Sequence, residues 1–187
     1  MQARIDASFA SFFYTTSGGA IHMANDRGKV WLGVAGIVEN IRGEWLLVKK
    51  TYGGLKGVWS LPAGFVQQAE TVTTAVKREV LEETGVPCIV GGLVGFRSGV
   101  IANEISDNMA IFYCKPMEEN PKLLLQEREI VEACWMAPTE IAQHELSSIM
   151  LKEMAKEHVD QHIHPLIEGV NPGEIFGYNE YHLFFKK

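Results

Sequence analysis

Residues 64–86 read GFVQQAETVTTAVKREVLEETGV and are the most informative part of the sequence. From residue 71 to residue 84 it contains good helix formers and neither glycine nor proline. Gly85 follows, with Pro87 two residues later, and this pair is a common C-terminal stop for a helix. The stretch therefore predicts a loop followed by a helix over residues 71–84.

Three glutamates extend the apolar face of this predicted helix. At about 100° per residue, one face carries four apolar side chains: Val72, Ala75, Val76 and Val80. By the same arithmetic Glu79, Glu82 and Glu83 fall on or beside that face. If the apolar face packs into the protein, the three carboxylates face inward with it.

Inward-facing carboxylates repel one another and lose hydration, so they need a cation. Oxygen ligands favour Mg²⁺ or Mn²⁺ over zinc, and no cluster of cysteine and histidine competes for the metal. Arg78 precedes Glu82 by four residues and could orient a carboxylate or form an ordinary surface pair. The alternative for the glutamates is a solvated helix face, which would turn the apolar stripe towards water as well.

The stretch resembles the signature of the Nudix hydrolases, G-x5-E-x7-R-E-U-x-E-E-x-G-U, where U is a bulky aliphatic residue. Every specified position is filled, by Gly64, Glu70, Arg78, Glu79, Val80, Glu82, Glu83, Gly85 and Val86. The sequence WSLPAGF at 59–65 also looks like the family, and the resemblance extends from residue 30 to about residue 160. We refer to residues 64–86 as the Nudix box.

This resemblance implies an α/β fold, the Nudix α/β/α sandwich with a mixed β-sheet between helices. It also implies hydrolysis of a nucleoside diphosphate linked to another moiety. Glu79, Glu82 and Glu83 would bind Mg²⁺ or Mn²⁺, with the Gly64 carbonyl as a further ligand. Glu79 and Glu82, together with Arg78, are the expected catalytic residues.

The remaining box residues would have structural roles. By the resemblance, Glu70 and Arg78 hold the geometry of loop and helix. Gly64 and Gly85 suit backbone positions where a side chain would not be tolerated.

Hydrolysis also requires a carboxylate that accepts a proton from the attacking water. Four candidates remain open: Glu79, Glu82, Glu127 and Glu129. Lys50 is a candidate phosphate contact, although Lys49 and Lys50 could equally be a solubilising pair at a strand end. Four aromatic residues could stack on a base or belong to the core: Tyr52, Trp59, Phe96 and Phe112. Sequence motifs that identify the substrate class of a subfamily, including the proline of ADP-ribose hydrolases, are absent beyond the box. We favour a nucleoside triphosphate or a nucleotide sugar as substrate.

The composition limits the class of protein. The chain has 187 residues, of which 47% are hydrophobic and 21% charged, as in globular proteins. A formal charge of −6 disfavours binding to nucleic acids or anionic membranes, but not to a small phosphorylated ligand. No apolar stretch approaches the ~20 residues of a membrane span, and no targeting signal is visible. We expect a cytoplasmic protein whose cysteines, Cys88, Cys114 and Cys134, are reduced and buried.

The chain divides into an aromatic lead-in (1–28), a Nudix hydrolase domain (29–160) and an aromatic tail (161–187). Strands are predicted at residues 30–38, 45–48, 88–96, 109–114 and 131–136, and later helices at 139–142 and 145–160. The first two strands, with a turn at 40–43, predict a hairpin. The aromatic ends are expected to pack on the domain or to exchange with a partner in a homodimer.

A second function, from another class, is a nucleotide-sensing regulator that uses the same scaffold without turnover. The complete set of box glutamates argues against it. The absence of an appended basic DNA-binding region argues against it as well.

Overall fold

The computed structural model describes residues 29–51, 53–126, 128–157, 163–167 and 182–184. A four-stranded mixed sheet forms its centre, in the order β4-β1-β6-β5. These strands are β1 (Val30–Val38), β4 (Ala63–Phe65), β5 (Cys88–Ile101) and β6 (Ile105–Pro116). β1 is parallel to β6 and antiparallel to β4, so both of its edges are paired within this sheet.

A second, three-stranded antiparallel sheet has the order β3-β2-β7. Its strands are β2 (Trp45–Lys50), β3 (Trp59–Ser60) and β7 (Ile130–Met136). The helices are α1 (Val72–Thr84), α2 (Pro138–Gln143) and α3 (Ile149–Met154). Two short strands, β8 (Leu166–Ile167) and β9 (Leu183–Phe184), pair with each other.

The predicted hairpin of β1 and β2 is wrong. The turn is present, with Gly43 at φ 75° and its N–H bonded to the Asn40 carbonyl at 3.0 Å. Beyond it, Glu39 and Trp45 form a single bridge and the two strands diverge. Because β4 and β6 already occupy both edges of β1, β2 pairs instead with β3 and β7.

Alternation along β1 divides the core into two layers. Val34 and Val38 belong to a cluster with Val76 and Val80 of α1. Ala35 and Ile37 belong to the other cluster, whose helical members are Ile141 of α2 and Leu151 of α3. Helix α1 therefore covers one side of the strands and α2 with α3 the other, which confirms the predicted α/β sandwich with a mixed sheet.

The box helix confirms the prediction closely. It begins at Val72, and the Oγ1 of Thr71 accepts a hydrogen bond from the N–H of Thr74 at 3.3 Å as an N-cap. At its end Gly85 adopts φ 73°, in the left-handed region, and donates its N–H to the Leu81 carbonyl at 2.8 Å. The same glycine is needed for space, since a Cβ there would lie 2.7 Å from the Cβ of Leu124.

Three other predictions need correction. β5 and β6 are longer than expected and form a hairpin of their own, with Ile101 paired to Ile105. Helix α3 begins at Ile149 rather than at residue 145 because Ser148 caps it, accepting the Leu151 N–H at 3.3 Å, and it ends at Met154. Cys134 is only half-buried because β7 is an edge strand, whereas Cys88 and Cys114 are buried; all three are free thiols.

The described parts of the tail contact the domain. The Phe184 ring packs edge-on against Phe112 with centroids 5.5 Å apart, and the backbones of His164 and Leu93 bond to each other. The predicted lead-in and most of the tail lie outside the described residues, so the division at 28 and 160 stays a prediction. Within the described ranges, no helix has the length and apolar character needed to cross a membrane.

Candidate active site

Glu83 is the most deeply buried of the box carboxylates, at 1% exposure in the last turn of α1. Its Oε1 lies 2.6 Å from the Nζ of Lys50, and its Oε2 accepts a hydrogen bond from the N–H of Ala63 at 3.1 Å. Burial raises the pKa of Glu83 to about 7, while Lys50 and the Ala63 N–H oppose that rise. Glu83 thus faces inward, as the helix wheel predicts, and is held by a buried cation.

Lys50 enters the site from the end of β2. The pairing of β2 with β7 shifts register between Lys49 and Lys50, and a bulge of this kind re-aims side chains. The Lys50 Nζ also donates to the Ala63 carbonyl at 2.5 Å, and its side chain is only 13% exposed. Lys49, in contrast, lies over the Trp59 ring and pairs with the largely exposed Glu132 at 2.8 Å. Lys50 is therefore part of the glutamate cluster, whereas Lys49, whose side chain is 17% exposed, pairs with Glu132 outside that cluster.

Arg78 organises the other carboxylates. Its Nε and Nη2 donate a bidentate pair of hydrogen bonds, here called the fork, to Glu70, at 2.8 Å to Oε1 and 3.0 Å to Oε2. Its Nη1 donates to Glu79 at 2.6 Å and to Glu82 at 3.1 Å, and its Nη2 donates to the Phe65 carbonyl at 3.1 Å. Hydrogen bonding to Arg78 lowers the pKa of Glu70, and the same bonds raise the pKa of Arg78. Arg78 therefore ties the loop before α1 to the helix itself.

Gly64 lies directly against Glu79. A Cβ built on Gly64 would overlap the Glu79 carboxylate. The Glu79 side chain is 13% exposed, whereas that of Glu82 is 50% exposed at the edge of the cluster. The structure thus brings Gly64 and Glu79 together and leaves Glu82 partly open to solvent.

The donor set fits a hard divalent cation in its chemistry. With every carboxylate ionised, the cluster has a formal net charge of −2, from four carboxylates and two cationic side chains: Glu70, Glu79, Glu82, Glu83, Arg78 and Lys50. All the candidate ligands are oxygens, which Mg²⁺ and Mn²⁺ prefer. No three acidic, cysteine or histidine side chains in the described part of the chain converge as metal ligands. Lys50 and Arg78 occupy the carboxylates in this conformation, so loading a metal requires side chains to move.

The other sequence candidates divide into three groups. Glu127 and Tyr52 lie outside the described residues. Glu129 lies beside the site, since its carbonyl accepts the N–H of Thr51, the residue after Lys50, at 2.8 Å. The remaining aromatic candidates are the core residues Trp59 and Phe112 and the exposed Phe96.

Sequence reasoning missed the role of the Ala63 backbone. Its N–H holds Glu83 and its carbonyl holds Lys50, although these residues are far apart in sequence. Alanine carries no polar side chain, so no local pattern identifies it. The only signal is that Ala63 lies within the family-like sequence WSLPAGF.

Comparison with known proteins agrees with the resemblance. The NUDIX domain model matches residues 29–157, more than half of the chain. Nudix hydrolase 8 of Arabidopsis thaliana is 34% identical over 115 residues, which cover 60% of this chain and 31% of that protein. The ADP-ribose pyrophosphatase of Methanocaldococcus jannaschii is 45% identical over 65 residues, covering 35% of this chain and 38% of the relative. The chain thus spans about a third of the length of these two relatives.

Solved structures agree on the fold. A NUDIX hydrolase from Nitrosomonas europaea superposes with a TM-score of 0.62 at 26% identity, covering 73% of this chain and 93% of the other. The complete box, the domain match and the shared fold lead to one conclusion: the chain belongs to the Nudix hydrolase family.

Proposed function

We propose that this chain hydrolyses the pyrophosphate bond of a nucleoside diphosphate linked to another moiety, with Mg²⁺ or Mn²⁺ as cofactor. One observation carries the proposal: the box carboxylates lie in a largely buried cluster whose formal net charge is −2 after pairing with Arg78 and Lys50. A cluster of that charge suits one divalent cation. Membership of the Nudix family supports hydrolysis as the reaction class.

Four groups would hold the cation: the carboxylates of Glu79, Glu82 and Glu83 and the carbonyl of Gly64. When bound, the metal neutralises phosphate oxygens and lowers the pKa of a coordinated water. The chain supplies the positions of these ligands. Arg78, fixed by its fork to Glu70, orients Glu79 and Glu82, and the Ala63 N–H orients Glu83.

A carboxylate must also take the proton of the attacking water. Among the described candidates, Glu82 has half of its side-chain surface open to solvent and can meet that water directly. The backbone of Glu129, in the loop before β7, contacts Thr51 beside Lys50, and Glu79 is mostly buried against Gly64. Glu82→Gln and Glu129→Gln variants separate the first two, because loss of the general base lowers kcat by about 10²–10⁴.

The substrate is proposed to be a nucleoside triphosphate or a nucleotide sugar. The relative from Methanocaldococcus jannaschii, named an ADP-ribose pyrophosphatase, supports the nucleotide sugar. The free cysteines support a reducing, cytoplasmic location. The proposed homodimer rests on the aromatic ends, most of which lie outside the described residues, and light scattering on the full chain tests it.

The test is release of phosphate or nucleoside monophosphate from a substrate panel, with Mg²⁺ and with chelator. The panel contains nucleoside triphosphates, nucleotide sugars, ADP-ribose, dinucleotides and coenzyme A. Turnover of one class, abolished by chelator, supports the proposal and identifies the substrate. No turnover of any class, combined with nucleotide binding in calorimetry, would favour the silent, nucleotide-sensing regulator instead.

A further inference from the structure

We propose that Lys50 is a resident counter-cation of Glu83, and that a divalent cation displaces its ammonium group when the site is loaded. This inference rests on the proposed function, because it requires a metal to bind at Glu83. It makes Lys50 a positioning residue: Lys50 holds the buried carboxylate in place before the metal arrives and releases it afterwards.

The contacts of Glu83 show why displacement is needed. Its Oε1 is 2.6 Å from the Lys50 ammonium, and its Oε2 accepts the Ala63 N–H at 3.1 Å. The Lys50 Nζ closes a triangle by donating to the Ala63 carbonyl at 2.5 Å. Both oxygens of Glu83 are engaged, and its side chain is only 2% exposed. An arriving cation therefore has to share or replace one of these contacts.

Of the two groups on Glu83, Lys50 is the one that can leave. The Ala63 N–H belongs to the backbone of β4, which is paired in register with Ala35 of β1. The Lys50 ammonium, in contrast, is carried by a flexible four-carbon chain. Moving it changes side-chain torsions only, whereas moving the Ala63 N–H would break the edge of the sheet.

Electrostatics favours the same outcome. A divalent cation and an ammonium group on one carboxylate repel each other strongly where little water screens them. Arg78 has no such freedom, because its fork to Glu70 and its bond to the Phe65 carbonyl fix the guanidinium. The repulsion is therefore relieved at Lys50 rather than at Arg78.

Displacement leaves the Lys50 ammonium without its carboxylate at the edge of a loaded metal site. A charged ammonium in a mostly buried position needs an anion or water as a partner. A phosphate group of a bound substrate is an anion of the right kind. Loading with metal would thus convert Lys50 from a partner of Glu83 into a contact for phosphate.

The experiment follows the Lys50 side-chain nitrogen by NMR in the wild-type chain of 187 residues during titration with MgCl₂. The Nζ signals of Lys50 and Lys49 are assigned through their side-chain carbons and checked with Lys50→Arg and Lys49→Arg variants. Backbone amides of residues 79–85 report in the same sample whether Mg²⁺ binds. Lys49, paired with Glu132, is the matched control.

We expect the Lys50 Nζ resonance to shift, and its ammonium protons to exchange faster with water, in step with the shifts of the α1 amides. The Lys49 resonance should stay in place. Mg²⁺ could shift the α1 amides while the Lys50 nitrogen keeps its resonance and its ammonium protons stay protected from exchange. That result would refute the displacement of Lys50 and leave the proposed metal site intact. If Mg²⁺ moves no amide of α1, the metal part of the proposed function fails, and the displacement fails with it.

Discussion

The carboxylate of Glu79 lies where a Cβ on residue 64 would be, so the box glycine and the first of the adjacent glutamates fit only as a pair. The contact places Glu79 against the backbone of β4, fifteen residues after Gly64 in the chain.

 The helix can carry Glu79 to this position only because residue 64 has no side chain.

The first prediction concerns Gly64→Ala. The added methyl group must push the flexible end of Glu79 aside, so we expect little change in folding, within about 1 kcal/mol in the free energy of unfolding. Moving a metal ligand should weaken Mn²⁺ binding by about 10–100-fold. Calorimetric titration with Mn²⁺, alongside thermal unfolding, measures both quantities. Unchanged Mn²⁺ affinity would show that Glu79 does not depend on this contact.

Gly36→Ala, in contrast, should lower the stability of the fold. A Cβ on Gly36 would lie 2.9 Å from the Cγ2 of Val80 and 3.3 Å from that of Val76, both fully buried in the core under α1. Such overpacking costs about 1–3 kcal/mol. Urea unfolding should show this loss, and a stability equal to wild type would contradict the packing of α1 on β1.

The box helix could be predicted from sequence because its determinants are local. Thr71 supplies the cap, Gly85 supplies the left-handed residue at the end, and the spacing of Val76 and Val80 identifies the buried face. The hairpin of β1 and β2 could not be predicted, because the turn around Gly43 is compatible with pairing or divergence. The choice depends on β4 and β6, which compete for the edges of β1 from later in the chain.

The ion pair of Lys50 and Glu83 predicts an energetic coupling. Lys50→Met leaves a carboxylate buried without its cation and should cost about 3–5 kcal/mol in stability, compared with about 0–1 kcal/mol for the control Lys49→Met. Adding Glu83→Gln to Lys50→Met should cost less than the sum of the two single changes. Urea unfolding of the double-mutant cycle measures this difference, and additive costs would argue against the pair.

Glu70 provides a test of pH dependence. Hydrogen bonding to Arg78 lowers the pKa of Glu70 in the folded protein. The stabilising contribution of Glu70 is therefore fully present above the pKa of the unfolded state, about 4.3, and is lost as the pH falls through the lower pKa of the folded state. Glu70→Gln should therefore cost about 1–3 kcal/mol at pH 7, and the difference from wild type should shrink as the pH falls below about 4.3. Unfolding of both proteins across this range checks the trend, and a difference that is independent of pH would contradict it.

The sequence predicts which residues form the candidate site better than it predicts the contacts between them. The spacing of Glu79 and Glu83 on one helix is a local property, and their inward orientation follows from the apolar stripe. The partner of Glu83 is not local, because Lys50 and Ala63 reach it through strand register and a bulge in β2. No pattern within the box indicates that its most buried carboxylate already has a cation.

The buried box carboxylates are proposed to support hydrolysis that depends on a divalent cation. The most direct test of this proposal is a Mg²⁺ titration of the initial rate on the best substrate of the panel, for wild type, Glu83→Gln and the control Glu132→Gln, a largely exposed glutamate paired with Lys49. We predict that the rate requires Mg²⁺, that Glu132→Gln matches wild type, and that Glu83→Gln loses at least about 100-fold. Wild-type rates in Glu83→Gln, or a rate that persists without any divalent cation, would contradict the account.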